Sequence, residues 1–437
     1  MTEEDDAPDA NAARQTVRTR AGGAKKRPTR YQRDVALSED ARRGLSAQKK
    51  GRFTEAATLL RAAYRTSPES VDVAINLGAV ELQLGRTIAA RSAFERGVSL
   101  APTDARVLRD AAIGLCAMGH LDEAARLFER ATTRDPSMVG AWLGLARARR
   151  QLGDRDGAVR AGRAAIERAH DDASTWIELH LALFDDRATG ALRDEFVCAS
   201  ERGYALAPRS EHAALLFAGA LRITGDREAS ERVLRASGLG GRGVADALRW
   251  VNDERERSGA RVFATKQEGW ELALDAAPTK GVVAEFGVRF GTSTRALARR
   301  GDVVHGFDSF EGLPEAWNDL EPGAFSTSGA APSLPDNVVL HVGWFDATAP
   351  AFAASLDGSP KLVHIDSDLY SSAACVLDAL GAKLARGTVL VFDEVVGNER
   401  WREDEHRALC EAIERFDWQI EWLAVSWITG QGVLRLR

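Results

Sequence analysis

Residues 282–312 read VVAEFGVRFGTSTRALARRGDVVHGFDSFEG, and the order of residue types in them sets the architecture of the carboxy-terminal part of the chain. An apolar run rich in β-branched residues (VVAEFGV) meets a glycine loop, a helical pattern (STRALARR) follows, and a second apolar run (VVHGF) ends in an acidic turn. Near-continuous apolar runs of this length predict parallel strands covered on both faces, with the helical segments as crossovers. The same alternation continues through VVLHVGWF (338–345), KLVHIDSDL (361–369) and TVLVFDEV (388–395), separated and followed by SAACVLDALGAKLA and EDEHRALCEAIERF. QIEWLAV and GVLRLR close the chain with a short link between them, which predicts an antiparallel hairpin at the sheet edge. Right-handed βαβ units then give a doubly wound, Rossmann-like sheet whose ligand crevice lies at the carboxyl ends of the strands.

The glycine loop, Glu285-Phe286-Gly287-Val288-Arg289-Phe290-Gly291-Thr292-Ser293, is spaced GxxxG with an acid before the first glycine. It is not the GxGxxG of dinucleotide-binding folds, and alone it is as consistent with a plain strand-to-helix turn. Gly287 lets backbone approach a ligand and Gly291 opens the next helix. Asp308, 21 residues beyond Gly287, closes the second strand where nucleoside-binding α/β folds place the acid that takes the ribose hydroxyls. A nucleoside site follows. A nicotinamide dehydrogenase would share that acid but lacks its glycine signature here and leaves a second group of acids without a task.

Those acids are Asp366 and Asp368 in HIDSDLY and Asp393 and Glu394 in VFDEV. Neighbouring strand ends bring them into one crevice, where like charges repel unless some are protonated or a cation sits between them. Hard oxygen donors without cysteine suit Mg²⁺. The competing reading has Asp368 and Glu394 capping helices or pairing with Arg400 and Arg402. His364 lies two positions before Asp366, on the same side of the strand but deeper, and reads as a core histidine; His305 and His341 read as structural.

Residues 262–437 resemble class I S-adenosylmethionine-dependent methyltransferases, and more narrowly the macrocin O-methyltransferase family, which methylates sugar hydroxyls of macrolides. EFGVRFGTS, GFDSFEGLP, GWFDATAP, HIDSDLY and the acidic pair of VFDEV carry the resemblance. It implies that Glu285, Gly287, Gly291 and Ser293 meet the amino acid part of S-adenosyl-L-methionine, that Asp308 and Ser309 hold its ribose, and that Gly343, Trp344 and Asp346 flank its adenine. It implies Mg²⁺ held by Asp366, Asp393 and Glu394, with Glu394 standing where the sugar enzymes typically carry a second aspartate. Asp366 is the expected catalytic base, and the expected acceptor is a sugar hydroxyl of a small molecule or glycan. The irregular stretch 312–336 reads as a lid or substrate loop, in which Trp317 and Phe325 are candidates to stack on a sugar or cover the cofactor. Trp401 is read either as a wall of the acceptor pocket or as packing.

Ahead of this domain the chain repeats itself. Gly51, Gly85, Gly119 and Gly153 are 34 residues apart; Ala56, Ala90, Ala124 and Ala158 keep that step, and so do Pro68, Pro102 and Pro136. Glycine ends a first helix, a small alanine admits a second one close by, and proline stops it. This grammar resembles the tetratricopeptide repeat family, an all-α helical-repeat solenoid. Four units are clear (37–70, 71–104, 105–138, 139–172). Two degenerate ones follow (173–210, 211–243), the last expected to cap the stack. Such a solenoid offers a groove for a protein partner, or serves as a spacer or self-association arm. Gly238 to Gly243 form a joint, which puts the boundary to the methyltransferase-like domain at 244 and that domain at 244–437. Residues 1–36, acidic and then basic from Arg14 to Arg33, are too poor in apolar residues to order and read as a solvated tail rather than a basic arm for an anionic partner.

The 437 residues exceed one core and are 45% hydrophobic and 28% charged, an ordinary globular balance. A net charge of -6 gives no field for nucleic acid, and no apolar run reaches membrane-spanning length. Four cysteines without a CxxC pair and the absence of a secretory leader fit the cytoplasm. A rival function is an interaction scaffold whose methyltransferase-like domain is inactive; its retained glycine loop, Asp308 and strand-end acids argue against that.

Overall fold

The computed structural model describes residues 37–437, so the tail expected over 1–36 lies outside the described residues. Helices come first, in antiparallel pairs: α1 (Glu39–Lys49) with α2 (Phe53–Thr66), α3 (Val71–Gln83) with α4 (Thr87–Leu100), α5 (Ala105–Ala117) with α6 (Leu121–Arg134), α7 (Val139–Gln151) with α8 (Arg155–Arg168), α9 (Ala173–Leu183) with α10 (Gly190–Leu206) and α11 (Glu211–Ile223) with α12 (Arg227–Ala236). The 34-residue markers have physical counterparts. Gly51, Gly85, Gly119 and Gly153 turn the chain between paired helices at φ 72, 71, 74 and 80°, a region that a side chain resists. Ala56, Ala90, Ala124 and Ala158 are buried where the helices meet. Asp104 and Asp172 accept backbone N–H bonds at the starts of α5 and α9, and Ser70 and Ser210 do so for α3 and α11.

Two helices, α13 (Gly243–Ser258) and α14 (Lys266–Ala276), lead into β1 (Val283–Phe286), α15 (Thr292–Ala298), β2 (Val304–Asp308), β3 (Val338–Val342), α16 (Phe345–Ser355), β4 (Leu362–Ile365), α17 (Tyr370–Leu380), β5 (Val389–Phe392), α18 (Glu405–Phe416), β6 (Ile420–Val425) and β7 (Gly432–Leu436). The sheet order is β3-β2-β1-β4-β5-β7-β6. β1 to β5 pair in parallel, while β7 runs against both β5 and β6. The closing hairpin does lie at the edge, but its antiparallel strand is β7, one place in; the outermost strand is β6. β1, β4 and β5 are buried throughout, whereas β3, at the other edge, leaves Val339 and Val342 exposed. The fold is thus a helical-repeat solenoid followed by a doubly wound sheet.

The two halves share one apolar core. Leu179, Leu183, Phe184 and Phe196 of the fifth repeat and Ala214, Leu216 and Ala218 of the sixth are continuous with Leu248, Val251, Trp422 and Trp427. The sixth pair does not close the stack: α13 packs on α11, and Trp427, in the link between β6 and β7, lies where a side chain on Gly219 would collide. Polar ties follow the same seam: buried Asp186 accepts from the Arg261 guanidinium at 2.8 Å and the Val262 N–H at 2.9 Å, and Arg150 donates to the Ala264 carbonyl at 3.1 Å. The repeat turns also face the second half. A Cβ on Gly119 would strike Thr292, and one on Gly85 would strike the Ser326 carbonyl.

Candidate active site

The strand order reverses between β1 and β4, and a cavity of about 500 Å³ opens there at the carboxyl ends of the strands. Each strand end contributes to its wall. Gly287 follows β1, Asp308 and Ser309 close β2, Gly343 to Asp346 follow β3, Asp366 to Asp368 follow β4, and Glu394 follows β5. Gly287 has φ 103°, and a Cβ there would run into the Asp366 backbone, so only glycine lets the loops after β1 and β4 approach this closely.

Asp308 organises the first loop. Its Oδ2 accepts the N–H groups of Val288 at 2.9 Å and Arg289 at 2.7 Å, and its Oδ1 accepts Phe310 N–H at 2.7 Å. Gly291 is the left-handed residue before α15, and Ser293 is buried within that helix; neither lines the cavity. Glu285 is not on the wall either. It is fully buried beneath it, taking a hydrogen bond from the Thr294 hydroxyl and meeting His364 Nδ1 at 3.0 Å.

His364 is a core residue, as its position on the strand predicts, but it does more than fill space. Its Nε2 lies 3.4 Å from Asp393 Oδ1, so the ring bridges two buried carboxylates. Burial opposes its charge, yet the hydrogen bonds and charges of Asp393 and Glu285 outweigh burial and push its pKa up to about 10. A raised folded-state value means that the stabilisation is complete below the ordinary 6.5 and is lost as pH rises through about 10. The urea midpoint of the wild type is therefore expected to fall more steeply between pH 7 and 10 than that of His364→Gln; parallel curves would refute a charged His364.

Lys266, the first residue of α14, reaches the acids after β5. Its ammonium donates to Asp393 Oδ2 and lies 3.7 Å from Glu394 Oε1. Asp393 Oδ1 accepts Gln431 Nε2 at 2.6 Å, so both oxygens of this carboxylate are engaged. Burial works against the ammonium, but Asp393, Asp366 and Glu394 together hold its pKa above the ordinary range. The carboxyl of Asp393 is likewise held low: burial opposes it, and Lys266 and His364 prevail. Its neighbours move the other way. Burial, with Asp393 adding to it, raises Asp366 well above the usual carboxylate range, and burial pushes Glu394 up to about 8. One ligand atom each of His364, Asp366 and Asp393 lies within 4.8 Å of the others.

Glu405, at the start of α18, ties the two acidic loops together. Its Oε1 accepts the Ser367 N–H at 3.0 Å and hydroxyl at 3.1 Å, and its Oε2 accepts the Glu394 N–H at 2.9 Å. Neither Lys266 nor Glu405 stands out in the sequence: each sits in a polar helical stretch, and only the fold brings them to the strand ends.

The long connection 312–336 does border the cavity, through Gly312, Leu313, Pro314 and Phe325. The Arg289 guanidinium lies 4.7 Å from the Phe325 ring centroid. Trp317 does not face a ligand. It packs with Leu313 and Leu369 and donates its indole N–H to Asp404 at 3.2 Å, in a small core of the connection's own. Trp401 is 1% exposed, packed against Trp250 and His406 and absent from the cavity wall, which makes it packing. His305 and His341 face each other across β2 and β3 at 3.0 Å, off the cavity wall.

Residues 284–395 match the family model of a methyltransferase domain. Residues 42–105 and 115–180 match two tetratricopeptide repeat models. No curated protein sequence matches the chain. Among solved structures, MamA is 18% identical over 40% of this chain and 98% of its own, with a TM-score of 0.35. Pseudomonas aeruginosa PilF is 18% identical over 46% of this chain and 90% of its own, at 0.40. CalS11, a calicheamicin methyltransferase, is 22% identical over 52% of this chain and 92% of its own, at 0.32. The matched segments put tetratricopeptide repeats ahead of a methyltransferase domain in one polypeptide, and a methyltransferase domain implies S-adenosylmethionine as methyl donor.

Proposed function

We propose that the protein is an S-adenosylmethionine-dependent O-methyltransferase of the macrocin type, acting in the cytoplasm on a sugar hydroxyl of a metabolite or glycan. In this reading residues 244–437 are the catalytic domain, and the repeats over 37–243 are a scaffold for a protein partner or for self-association. The observation that carries it is the cavity at the strand reversal, with Gly287 and Asp308 on one side and Asp366 and Glu394 on the other. The residues fit the donor: a glycine after β1 that lets the loops after β1 and β4 close up beside the cavity, an acid closing β2, and the Gly343–Asp346 turn at the third strand end. Among the described residues no helix is long and apolar enough to cross a membrane.

S-adenosylmethionine supplies an electrophilic methyl group on a sulfonium. The chain has to hold that donor, place an acceptor oxygen about 3 Å from the methyl carbon, and remove a proton. Asp308 and Ser309 bind the ribose, Gly287 the amino acid end, and Trp344 and Asp346 the adenine side. Asp366 takes the acceptor proton at a carboxylate oxygen; its raised pKa suits a base for a weakly acidic hydroxyl. Phe325 and Leu313 exclude water from the mouth. The Mg²⁺ expected at Asp366, Asp393 and Glu394 has no step here, because an ammonium already stands among these carboxylates.

Calorimetry with S-adenosylmethionine tests the reading: a folded protein that binds none is the scaffold with an inactive domain. Asp366→Ala is expected to keep donor binding while methyl transfer to a glycoside acceptor falls by roughly 100-fold or more, the scale of a lost general base. Full turnover in that variant would remove Asp366 from the chemistry.

A further inference from the structure

Lys266 is an odd residue for its place. It opens α14, whose Thr265–Glu268 capping box fixes the first turn, and the first turn of a helix disfavours positive charge. What holds the ammonium there is the cluster of acids at the strand ends, reached across 127 residues of sequence. From the buried side, Glu285, His364, Asp393 and Lys266 follow one another as hydrogen-bonded neighbours, acid and base in alternation, and the last of them forms part of the cavity wall.

A divalent ion needs the same space. Mg²⁺ demands near-octahedral oxygen ligands at about 2.0–2.1 Å. Both oxygens of Asp393 already accept a hydrogen bond, Oδ2 from Lys266 and Oδ1 from Gln431, so a metal at this carboxylate would have to displace the ammonium beside it. Both ring nitrogens of His364 face carboxylates as well. We propose that the Lys266 ammonium is the resident cation of this cavity, filling the place among Asp366, Asp393 and Glu394 that a metal would take, so that methyl transfer proceeds without one. The inference rests on the methyltransferase reading of the site. A fixed positive charge on the wall favours negative charge developing on the acceptor oxygen, as a metal would. An ammonium has three donors, so one on the cavity side also orients that oxygen toward the base.

The test is uptake of Mn²⁺, followed by the loss of its free-ion paramagnetic signal, in the full-length protein with S-adenosylmethionine present. The wild type is expected to leave Mn²⁺ free, whereas Lys266→Ala, or Lys266→Met if alanine impairs folding, is expected to take up one equivalent. A wild type that takes up Mn²⁺ and loses it on Asp393→Asn overturns the proposal. So does a folded Lys266 variant that takes up none. Donor binding measured by calorimetry in metal-free buffer reports on the methyltransferase reading separately, so the two ideas fail independently.

Discussion

Asp308→Ala is expected to weaken S-adenosylmethionine binding by roughly 100-fold or more while the protein stays folded. A hydrogen bond to a charged group contributes about 1.5–3 kcal/mol, and two ribose hydroxyls on one carboxylate make two such bonds. At about 1.4 kcal/mol per tenfold, their loss gives that factor or more. A second effect adds to it. Val288 and Arg289 direct their N–H groups to Asp308 Oδ2, so the alanine variant also releases the loop that carries Gly287. Asp308→Asn keeps an oxygen acceptor and is expected to fall between the two. Calorimetry decides the matter: wild-type affinity in Asp308→Ala would mean that the cavity does not hold its nucleoside there.

Trp427→Ala carries the largest expected loss of stability, about 3–5 kcal/mol, as for other buried tryptophans cut to alanine. The ring lies against Gly219 of α11, with its centroid 6.1 Å from that of Phe184, in the core shared by repeats and sheet. No side chain from the helices can refill the space without moving a packed element. A urea titration should show a lower midpoint in a single transition. An unchanged midpoint would show that the repeats are not held to the sheet at this point.

The architecture was legible because it rests on periodic signals. The 34-residue step of Gly85 and Ala90 and the apolar runs ending in Asp308 and Asp393 are local patterns, and each maps onto a helix turn or a strand end. Much of the cavity wall followed from the same strand ends: Gly287, Asp308, Gly343, Asp346, Asp366 and Glu394 converge there. The rest depended on depth and on distant partners. Glu285 lies two positions deeper along its strand than the row of Gly287 and Asp308, on the same face, whereas Asp393 and its neighbour Glu394 turn to opposite sides because successive residues of a strand alternate. Lys266 and Glu405 sit on helices whose docking no periodicity reveals. The order of β6 and β7 is likewise a tertiary choice, since a hairpin pattern does not say which arm joins the sheet.

Ser326 to Ser328, in the connection whose other residues frame the mouth of the cavity, lie against the turn of the second repeat at Leu84 and Gly85. At its opposite bank the same segment is moored by Trp317 to Asp404. The border of the cavity is therefore held at one end by a repeat turn and at the other by the residue that precedes α18. A shift of the second repeat would pull on this connection directly, so the solenoid bears on the rim of the pocket without lining it.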